Sequence, residues 1–221
     1  MTSDITSQDN VIHAECKRCG TCCRKGGPCL HEEDRLLVVE GLLKPSMLVT
    51  YRKGELAINP ETGEIVRLPS EMIKIRGRAG EALCLFFEGK EKSCRIYEKR
   101  PLECRVLKCW DTEESRGLFL KDLLVRSQLI PPNSTLSELV EGYEKAFPLD
   151  MIFGVFTKGL SGKDASRAAL EELLSRDVDF RAGITKTLHV SDDDLFFFFG
   201  RPLSMLLDGF REIVMDVGGE K

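Results

Sequence analysis

All nine cysteines of this 221-residue chain lie between Cys16 and Cys109, and the second half of the chain contains none. The first 30 residues are polar and charged and do not resemble a secretion signal, so we expect a cytoplasmic protein whose thiols stay reduced. An odd number of cysteines also fits a fully paired disulfide framework badly. Metal ligation or thiol redox chemistry is therefore the expected role of these residues.

The charge pattern divides the chain at the same place as the cysteines. Residues 1–110 carry 19 basic and 16 acidic side chains, whereas residues 111–221 carry 13 and 20. We expect a flexible tail over residues 1–12, a cysteine-rich metal-binding domain over 13–110 and a helical domain over 111–221. The acidic helical half is a candidate surface for a protein partner. The balanced total charge argues against nucleic-acid binding, and the apolar runs are too short to cross a membrane.

Short strands followed by helices are predicted along the chain, which makes the expected fold class α+β. Residues 55–59 and 64–68 flank a Pro-Glu-Thr-Gly loop and predict a hairpin. Other predicted elements of the first half are strands over 72–76 and 83–87, and short helices before Gly41, over 45–51 and from Pro101 onward. In the second half the predicted helices cover residues 111–128, 134–147, 149–159, 163–175 and 177–188, with further helices following Ser191 and Pro202.

Two aromatic features of the chain are expected to serve packing. Trp110 is predicted to anchor the core, and the Phe196–Phe199 run is predicted to form a buried helical element.

The first cysteine cluster repeats a two-residue gap, through Cys16, Cys19 and Cys22. Such a gap lets both thiolates of a CxxC turn face one ion, and the same spacing supplies three cluster ligands in bacterial ferredoxins. The adjacent Cys22 and Cys23 are expected to point in diverging directions. The doublet thus indicates either two metal positions or one metal and one spare thiol.

The second cysteine cluster, Cys84, Cys94, Cys104 and Cys109, is too widely spaced to form a local turn and can converge only through tertiary folding. Neighbouring lysines and arginines are expected to lower the pKa values of these thiols. Core packing is the competing explanation, above all for Cys29 and Cys84. His31 is weighed as a ligand, but its place before a helix favours a capping or surface role.

Together the two clusters resemble the YkgJ-type cysteine-cluster family, which carries the CxxCxxCC domain described as zinc- or iron-chelating. The resemblance rests on the motif Cys16-x2-Cys19-Gly20-x-Cys22-Cys23 and on the segment C-R-I-Y-E-x-R-P-x-x-C-R over residues 94–105. It covers about residues 13–110 and implies that the cysteines bind metal. One branch of the family is similar to flagellin lysine N-methylase, which is described as combining an iron–sulfur centre with S-adenosylmethionine. The present chain is much shorter and lacks a Gly-rich strand-to-helix loop.

We expect a cysteine-ligated iron–sulfur cluster in preference to zinc, because the double CxxC is ferredoxin-like and histidine is scarce. Arg100 and Arg105 are expected to contact the cofactor by hydrogen bonding to sulfur or neutralising an anionic centre, with salt bridges as the other reading. The alternatives are a metal-dependent protein-modifying enzyme and a thiol redox sensor, so enzymatic activity is left open. The predicted metal ligands are Cys16, Cys19, Cys22, Cys23, Cys29, Cys84, Cys94, Cys104 and Cys109.

Overall fold

A computed structural model describes Cys16 and residues 18–78, 82–160 and 164–218 of the chain. The tail predicted over residues 1–12 lies outside the described residues. The described part confirms the α+β class, with short antiparallel strands in the first half and helices in the second.

Six strands and eight α-helices make up the described structure. The strands are β1 (Leu48–Tyr51), β2 (Leu56–Ile58), β3 (Ile65–Arg67), β4 (Met72–Ile75), β5 (Phe87–Glu88) and β6 (Ser93–Cys94). The helices are α1 (Arg35–Val39), α2 (Leu102–Val106), α3 (Glu113–Arg116), α4 (Thr135–Ala146), α5 (Leu149–Leu160), α6 (Asp164–Leu188), α7 (Asp192–Phe199) and α8 (Leu203–Gly218). Short 3-10 turns lie at Cys23–Lys25, Glu32–Asp34, Pro45–Met47, Tyr97–Lys99 and Arg126–Gln128.

The strands form three antiparallel pairs, of which the β2–β3 hairpin confirms the sequence prediction. In the β1–β4 pair Leu48 lies opposite Ile75 and Tyr51 opposite Met72. The β5–β6 pair is only two residues long and places Phe87 opposite Cys94. This third pair belongs to the cysteine site described below.

Tertiary contacts override the local sequence pattern in several predicted elements. The helix predicted over 45–51 is wrong, because the 3-10 turn ends at Met47 and the chain then enters β1. The long helix predicted over 111–128 is also wrong. There the structure has α3 and a later 3-10 turn, and Leu120 and Asp122 adopt left-handed φ angles of 60° and 45° that an α-helix cannot contain.

Two further predictions need correction at their boundaries. The strand predicted over 83–87 is only an isolated bridge at Cys84 followed by β5, and the two helices predicted over 163–175 and 177–188 form the continuous α6. The helices after Ser134 and Ser191 are confirmed, since each serine side chain accepts a backbone N–H bond at the helix start.

The two halves of the chain pack into one hydrophobic core. Leu48 and Ile73 of the β1–β4 pair belong to the same buried cluster as Phe197 and Phe199 of α7. The Thr50 hydroxyl adds a 2.6 Å hydrogen bond to the Phe197 carbonyl. The Phe196–Phe199 run is therefore core, as predicted, whereas the predicted core anchor Trp110 is 41% exposed.

A buried ionic network also joins the two halves. Arg52, which is fully buried, donates to Glu144 Oε2 from Nε at 2.8 Å and to the Phe147 carbonyl at 2.6 Å. Arg126 donates to the other oxygen of Glu144 at 2.7 Å and to Glu71 Oε2 at 2.6 Å. One carboxylate on α4 thus neutralises two buried guanidinium groups, one from each half of the chain.

None of the helices in the described ranges is long and apolar enough to cross a membrane.

We predict that Glu144→Gln lowers the free energy of unfolding by about 3 kcal/mol, because it leaves buried guanidinium charge without its partner. Urea denaturation measures the effect. Glu141→Gln is the matched control on the same helix, since among the described residues Glu141 pairs with exposed Lys145 alone, at 3.6 Å, and should change stability by less than about 1 kcal/mol. Equal effects of the two substitutions would contradict the prediction.

The same residue predicts a pH dependence. Burial opposes ionisation of Glu144, but the hydrogen bonds and charges of Arg52 and Arg126 outweigh it and lower the carboxyl pKa from its ordinary value of 4.5. Its stabilising contribution is therefore complete above that value and is lost as the pH falls through the lower pKa of the folded state. Acid denaturation of Glu144→Gln should accordingly show a weaker pH dependence than that of the parent chain.

Candidate metal centre

Eight of the nine cysteines line one cavity of about 80 Å³. They come from both sequence clusters, so folding produces the convergence that the wide spacing of the second cluster requires. All nine cysteines are free thiols. The eight that line the cavity are Cys16, Cys19, Cys22, Cys23, Cys84, Cys94, Cys104 and Cys109.

The first cluster is a tight turn that is pressed onto Phe87. Gly20 has a φ of 77°, and a Cβ at this position would lie 2.1 Å from the Phe87 ring. The Arg18 backbone N–H points at Cys16 Sγ at 3.4 Å, and the Arg24 side chain donates to the Cys19 carbonyl at 3.1 Å. Glycine is therefore needed here both for its conformation and for its lack of a side chain.

The sulfurs of Cys22 and Cys23 lie 3.9 Å apart and both face the cavity, so the expected divergence of these side chains is wrong. Cys22 has helical φ and ψ angles and directly precedes the 3-10 turn that Cys23 begins. On a helical backbone neighbouring side chains do not point to opposite sides as they do in a strand. The separation is close to the ~3.8 Å that tetrahedral thiolates 2.3 Å from one ion would have.

Backbone hydrogen bonds connect the first cluster to the second. The Cys84 N–H donates to the Cys23 carbonyl at 2.7 Å, and the Phe87 N–H donates to the Cys84 carbonyl at 3.0 Å. Phe87 in turn pairs with Cys94 across the β5–β6 ladder. Three cysteines that are far apart in the sequence are thus held together by main-chain contacts.

Helix α2 presents Cys104 and is positioned by two carboxylates that the sequence analysis missed. Asp34 is fully buried and accepts the Leu102 N–H at 2.8 Å and the His31 N–H at 3.1 Å. Glu103 accepts the Cys29 N–H at 2.8 Å. The run of acidic residues before α1 could have suggested that one of them caps the N-terminus of a helix. The local sequence does not indicate that the capped helix is α2.

His31 lies at the N-cap position of the 3-10 turn at Glu32–Asp34, but its side chain makes no capping bond and is buried, so both the predicted capping role and the predicted surface role of this side chain are wrong. Its Nδ1–H donates to the Lys121 carbonyl at 2.9 Å, and its Nε2 lies 3.5 Å from a Glu103 oxygen. His31 does not line the cysteine cavity.

Cys29 lies apart from the other eight cysteines. Its thiol donates to the Met72 sulfur at 3.2 Å, inside a small second core cluster with Leu68 and Leu123. Burial raises the pKa of the Cys29 thiol to about 12. The structure does not bring this predicted ligand to the cavity, and its surroundings match the alternative of core packing.

The thiols of the cavity have contrasting acidities. Hydrogen bonding with Thr21 lowers the pKa of Cys19. The pKa of Cys22 is lowered to about 6, chiefly by its hydrogen bond with the Cys23 thiol and also by the positive charge of Arg100. The pKa of Cys23 is raised by this same bond and by burial. Burial also raises the pKa values of Cys84 and Cys104, so the lowering expected from neighbouring basic residues is wrong for these two.

Of the two arginines predicted to contact the cofactor, only Arg100 lines the cavity. Its guanidinium stacks on Tyr97 at 3.8 Å and donates to the Cys104 carbonyl at 3.3 Å. Arg18 covers the same Tyr97 ring at 4.2 Å. Arg105 does not line the cavity and forms an ion pair with Glu33, which matches the alternative reading of a salt bridge.

The donor set fits a metal centre bound by thiolates. Among the described residues no three His, Cys, Asp or Glu side chains converge closely enough to hold one ion, so the thiols surround a space and do not enclose a point. The part of the lining that the structure describes contains no histidine and no carboxylate. Sulfur-only donors favour soft or borderline ions such as zinc and the iron of iron–sulfur clusters.

Sulfur-only donors around one space suit a cysteine-rich metal-binding domain. Residues 15–118 match the model of the CxxCxxCC family, described as "Putative zinc- or iron-chelating domain". The match supports the resemblance of its motifs to this domain. The finer YkgJ-type grouping stays a prediction.

The comparison with curated proteins finds the uncharacterized protein MJ0661 of Methanocaldococcus jannaschii. It is 25% identical over 187 residues, which cover 78% of this chain and 86% of the relative. The family match ends at residue 118, whereas the alignment with this relative covers 78% of the chain. The similarity to this relative therefore extends into the helical half. No solved structure matches the chain.

We predict that Gly20→Ala weakens metal binding about tenfold or more, because a left-handed non-glycine residue costs about 1–2 kcal/mol and the new methyl group would collide with Phe87. Competition with a chromophoric chelator measures the affinity. Gly63→Ala is the matched control, because Gly63 has a similar φ of 74° with open space around it. Loss of affinity in both variants would show that the contact with Phe87 is unimportant.

Proposed function

We propose that the protein binds metal through the eight thiols of the cavity, as an iron–sulfur cluster in preference to zinc. The observation that carries the proposal is the arrangement of eight cysteines from several chain segments around one space. The family match to a zinc- or iron-chelating domain supports the coarser statement of metal binding.

The number of donors supports a centre with more than one metal atom. Four thiolates saturate one tetrahedral zinc ion, whereas eight line this cavity. Iron–sulfur clusters are also held by cysteine thiolates, and the first cluster has the spacing found in bacterial ferredoxins. A bound iron–sulfur cluster would supply electron transfer or a Lewis-acidic iron.

The charge around the cavity suits an anionic centre. Arg18, Lys92 and Arg100 line it, and within the described ranges none of the three forms an ion pair with a carboxylate. Bound thiolates would add negative charge here, and these cations would balance part of it. Of these cations, Arg100 contacts the helix that carries Cys104, because its guanidinium donates to the Cys104 carbonyl.

We further propose a cytoplasmic location and a protein partner that docks on the acidic helical half. Exposed carboxylates on α6 and α7 support this proposal, among them Glu171, Glu172 and Asp192. A basic partner surface would complement them and speed association.

Analysis of protein purified without oxygen tests the metal proposal. We expect iron and acid-labile sulfide in similar amounts, with visible absorbance from thiolate-to-iron charge transfer. Zinc without iron or sulfide would overturn the preference for a cluster while leaving thiolate ligation in place. A chain that binds neither metal would overturn metal binding, and reversible disulfides under mild oxidant would then favour a thiol redox sensor.

Two cysteine substitutions show whether the cavity is the site of binding. We predict that Cys94→Ser lowers the metal content by half or more, because Cys94 lines the cavity on β6. Cys29→Ala is the matched control and should retain the metal content of the parent chain, because Cys29 lies in the second core cluster. Metal analysis after gel filtration provides the measurement, and the opposite ranking would place the site elsewhere.

A further inference from the structure

Four cations surround the cysteine cavity, and we call them the basic rim: Arg18, Arg24, Lys92 and Arg100. Three of them line the cavity, and Arg24 lies over the ring of Phe87 in its wall, 5.3 Å from the ring centroid. Among the described residues, none of the four forms an ion pair with a carboxylate. The rim therefore presents positive charge that no described carboxylate neutralises.

The other arginines of the first half show the opposite behaviour. Six of the seven that lie outside the rim pair with a carboxylate, and the seventh, Arg35, donates to the Gln128 carbonyl. The six paired arginines are Arg52, Arg67, Arg76, Arg78, Arg95 and Arg105. Unpaired arginine is thus concentrated around the cavity.

Aromatic rings and main-chain carbonyls hold the rim arginines in place. Arg18 and Arg100 both lie over Tyr97, 4.2 Å and 3.8 Å from its ring centroid. Arg100 also donates to the Tyr97 carbonyl at 2.8 Å, and Arg24 donates to the Cys19 carbonyl at 3.1 Å. Such contacts fix a guanidinium without cancelling its charge, so the rim is preorganised to receive an anionic group.

An exposed aromatic side chain adjoins the same cavity. Trp110 is 41% exposed and directly follows Cys109, which lines the cavity. Arg18, Arg24 and Lys92 are also exposed residues, so the rim can be reached by another molecule. Tryptophan and arginine are the residue types that most often dominate the binding energy of protein interfaces. The composition of this surface is therefore that of a protein-binding surface.

Two exposed carboxylates, Glu91 and Glu98, lie in the chain segment that carries Lys92 and Arg100. Neither lines the cavity, and within the described ranges neither forms an ion pair. They reduce the local charge without reversing it, because four rim cations face two carboxylates. The surface around the cavity keeps a positive charge.

We propose that the basic rim is a docking surface for an acidic segment of a partner protein. The proposal goes beyond metal binding and concerns a surface separate from the acidic helical half. A protein segment fits better than nucleic acid, because residues 111–221 carry 13 basic and 20 acidic side chains and repel a long polyanion. An acidic protein segment needs to meet only the rim, and Trp110 adds an apolar contact beside it.

Fluorescence anisotropy with a labelled acidic peptide tests the proposal on the full chain, purified without oxygen. The probe is a Glu/Asp-rich peptide of about ten residues, and a Gly/Ser peptide of equal length is its control. We expect saturable binding of the acidic peptide alone, weakened about tenfold or more between about 50 and about 300 mM NaCl, because salt screens exposed charges. Absence of binding would overturn the proposal. Tighter binding of a single-stranded oligonucleotide of equal charge would also overturn it, in favour of a nucleic-acid surface.

A charge reversal then locates the binding surface. Lys92→Glu should weaken binding of the acidic peptide about tenfold, because it places a like charge in the rim. Lys158→Glu is the matched control: it changes the net charge equally, at an exposed position on α5, and should alter the affinity less than about twofold. Equal weakening in both variants would overturn the rim as the docking surface.

Metal analysis of the same samples separates this proposal from the proposed function. Weaker peptide binding by Lys92→Glu at the parent metal content supports a docking surface in its own right. Peptide binding that falls only in proportion to lost metal would overturn it. If Lys92→Glu does not fold, which far-ultraviolet circular dichroism checks, the salt dependence and the oligonucleotide comparison of the parent chain still decide the proposal.

Discussion

A short series of main-chain hydrogen bonds underlies the whole metal centre. The bond from Cys84 to Cys23, the bond from Phe87 to Cys84 and the pairing of Phe87 with Cys94 bring distant segments to one place. Burying Phe87 against Gly20 then fixes the CxxC turn over the same cavity. Thiols repel one another once they ionise, so the contacts that hold them together must come from the backbone and the core.

The helical half contributes to the same hydrophobic core as the strands of the first half. Its α7 packs on β1, and its Glu144 neutralises arginines from both halves. Glu144 is only half-buried, but the two guanidinium groups that it pairs with are buried, and an unpaired buried charge is costly. The helices therefore support the β1–β4 pair, whose β4 strand ends at Ile75, in the wall of the cysteine cavity.

Predictions from the sequence succeeded where the signal is local. The β2–β3 hairpin is encoded by its turn residues, and the helices after Ser134 and Ser191 by their capping serines. Predictions failed where distant contacts compete with local preference. Residues 111–128 have a helical apolar pattern, yet His31 bridges to Leu123 and holds this segment in an irregular path.

For the metal centre, the sequence by itself determined the chemistry: soft sulfur donors, their confinement to one half of the chain and the glycine that a tight CxxC turn needs. Only the tertiary structure decided which thiols share a site. It brought eight together around one cavity and left Cys29 in a separate core. The reason is that residue type and spacing specify what a side chain can bind, whereas convergence and burial depend on contacts between segments far apart in the chain.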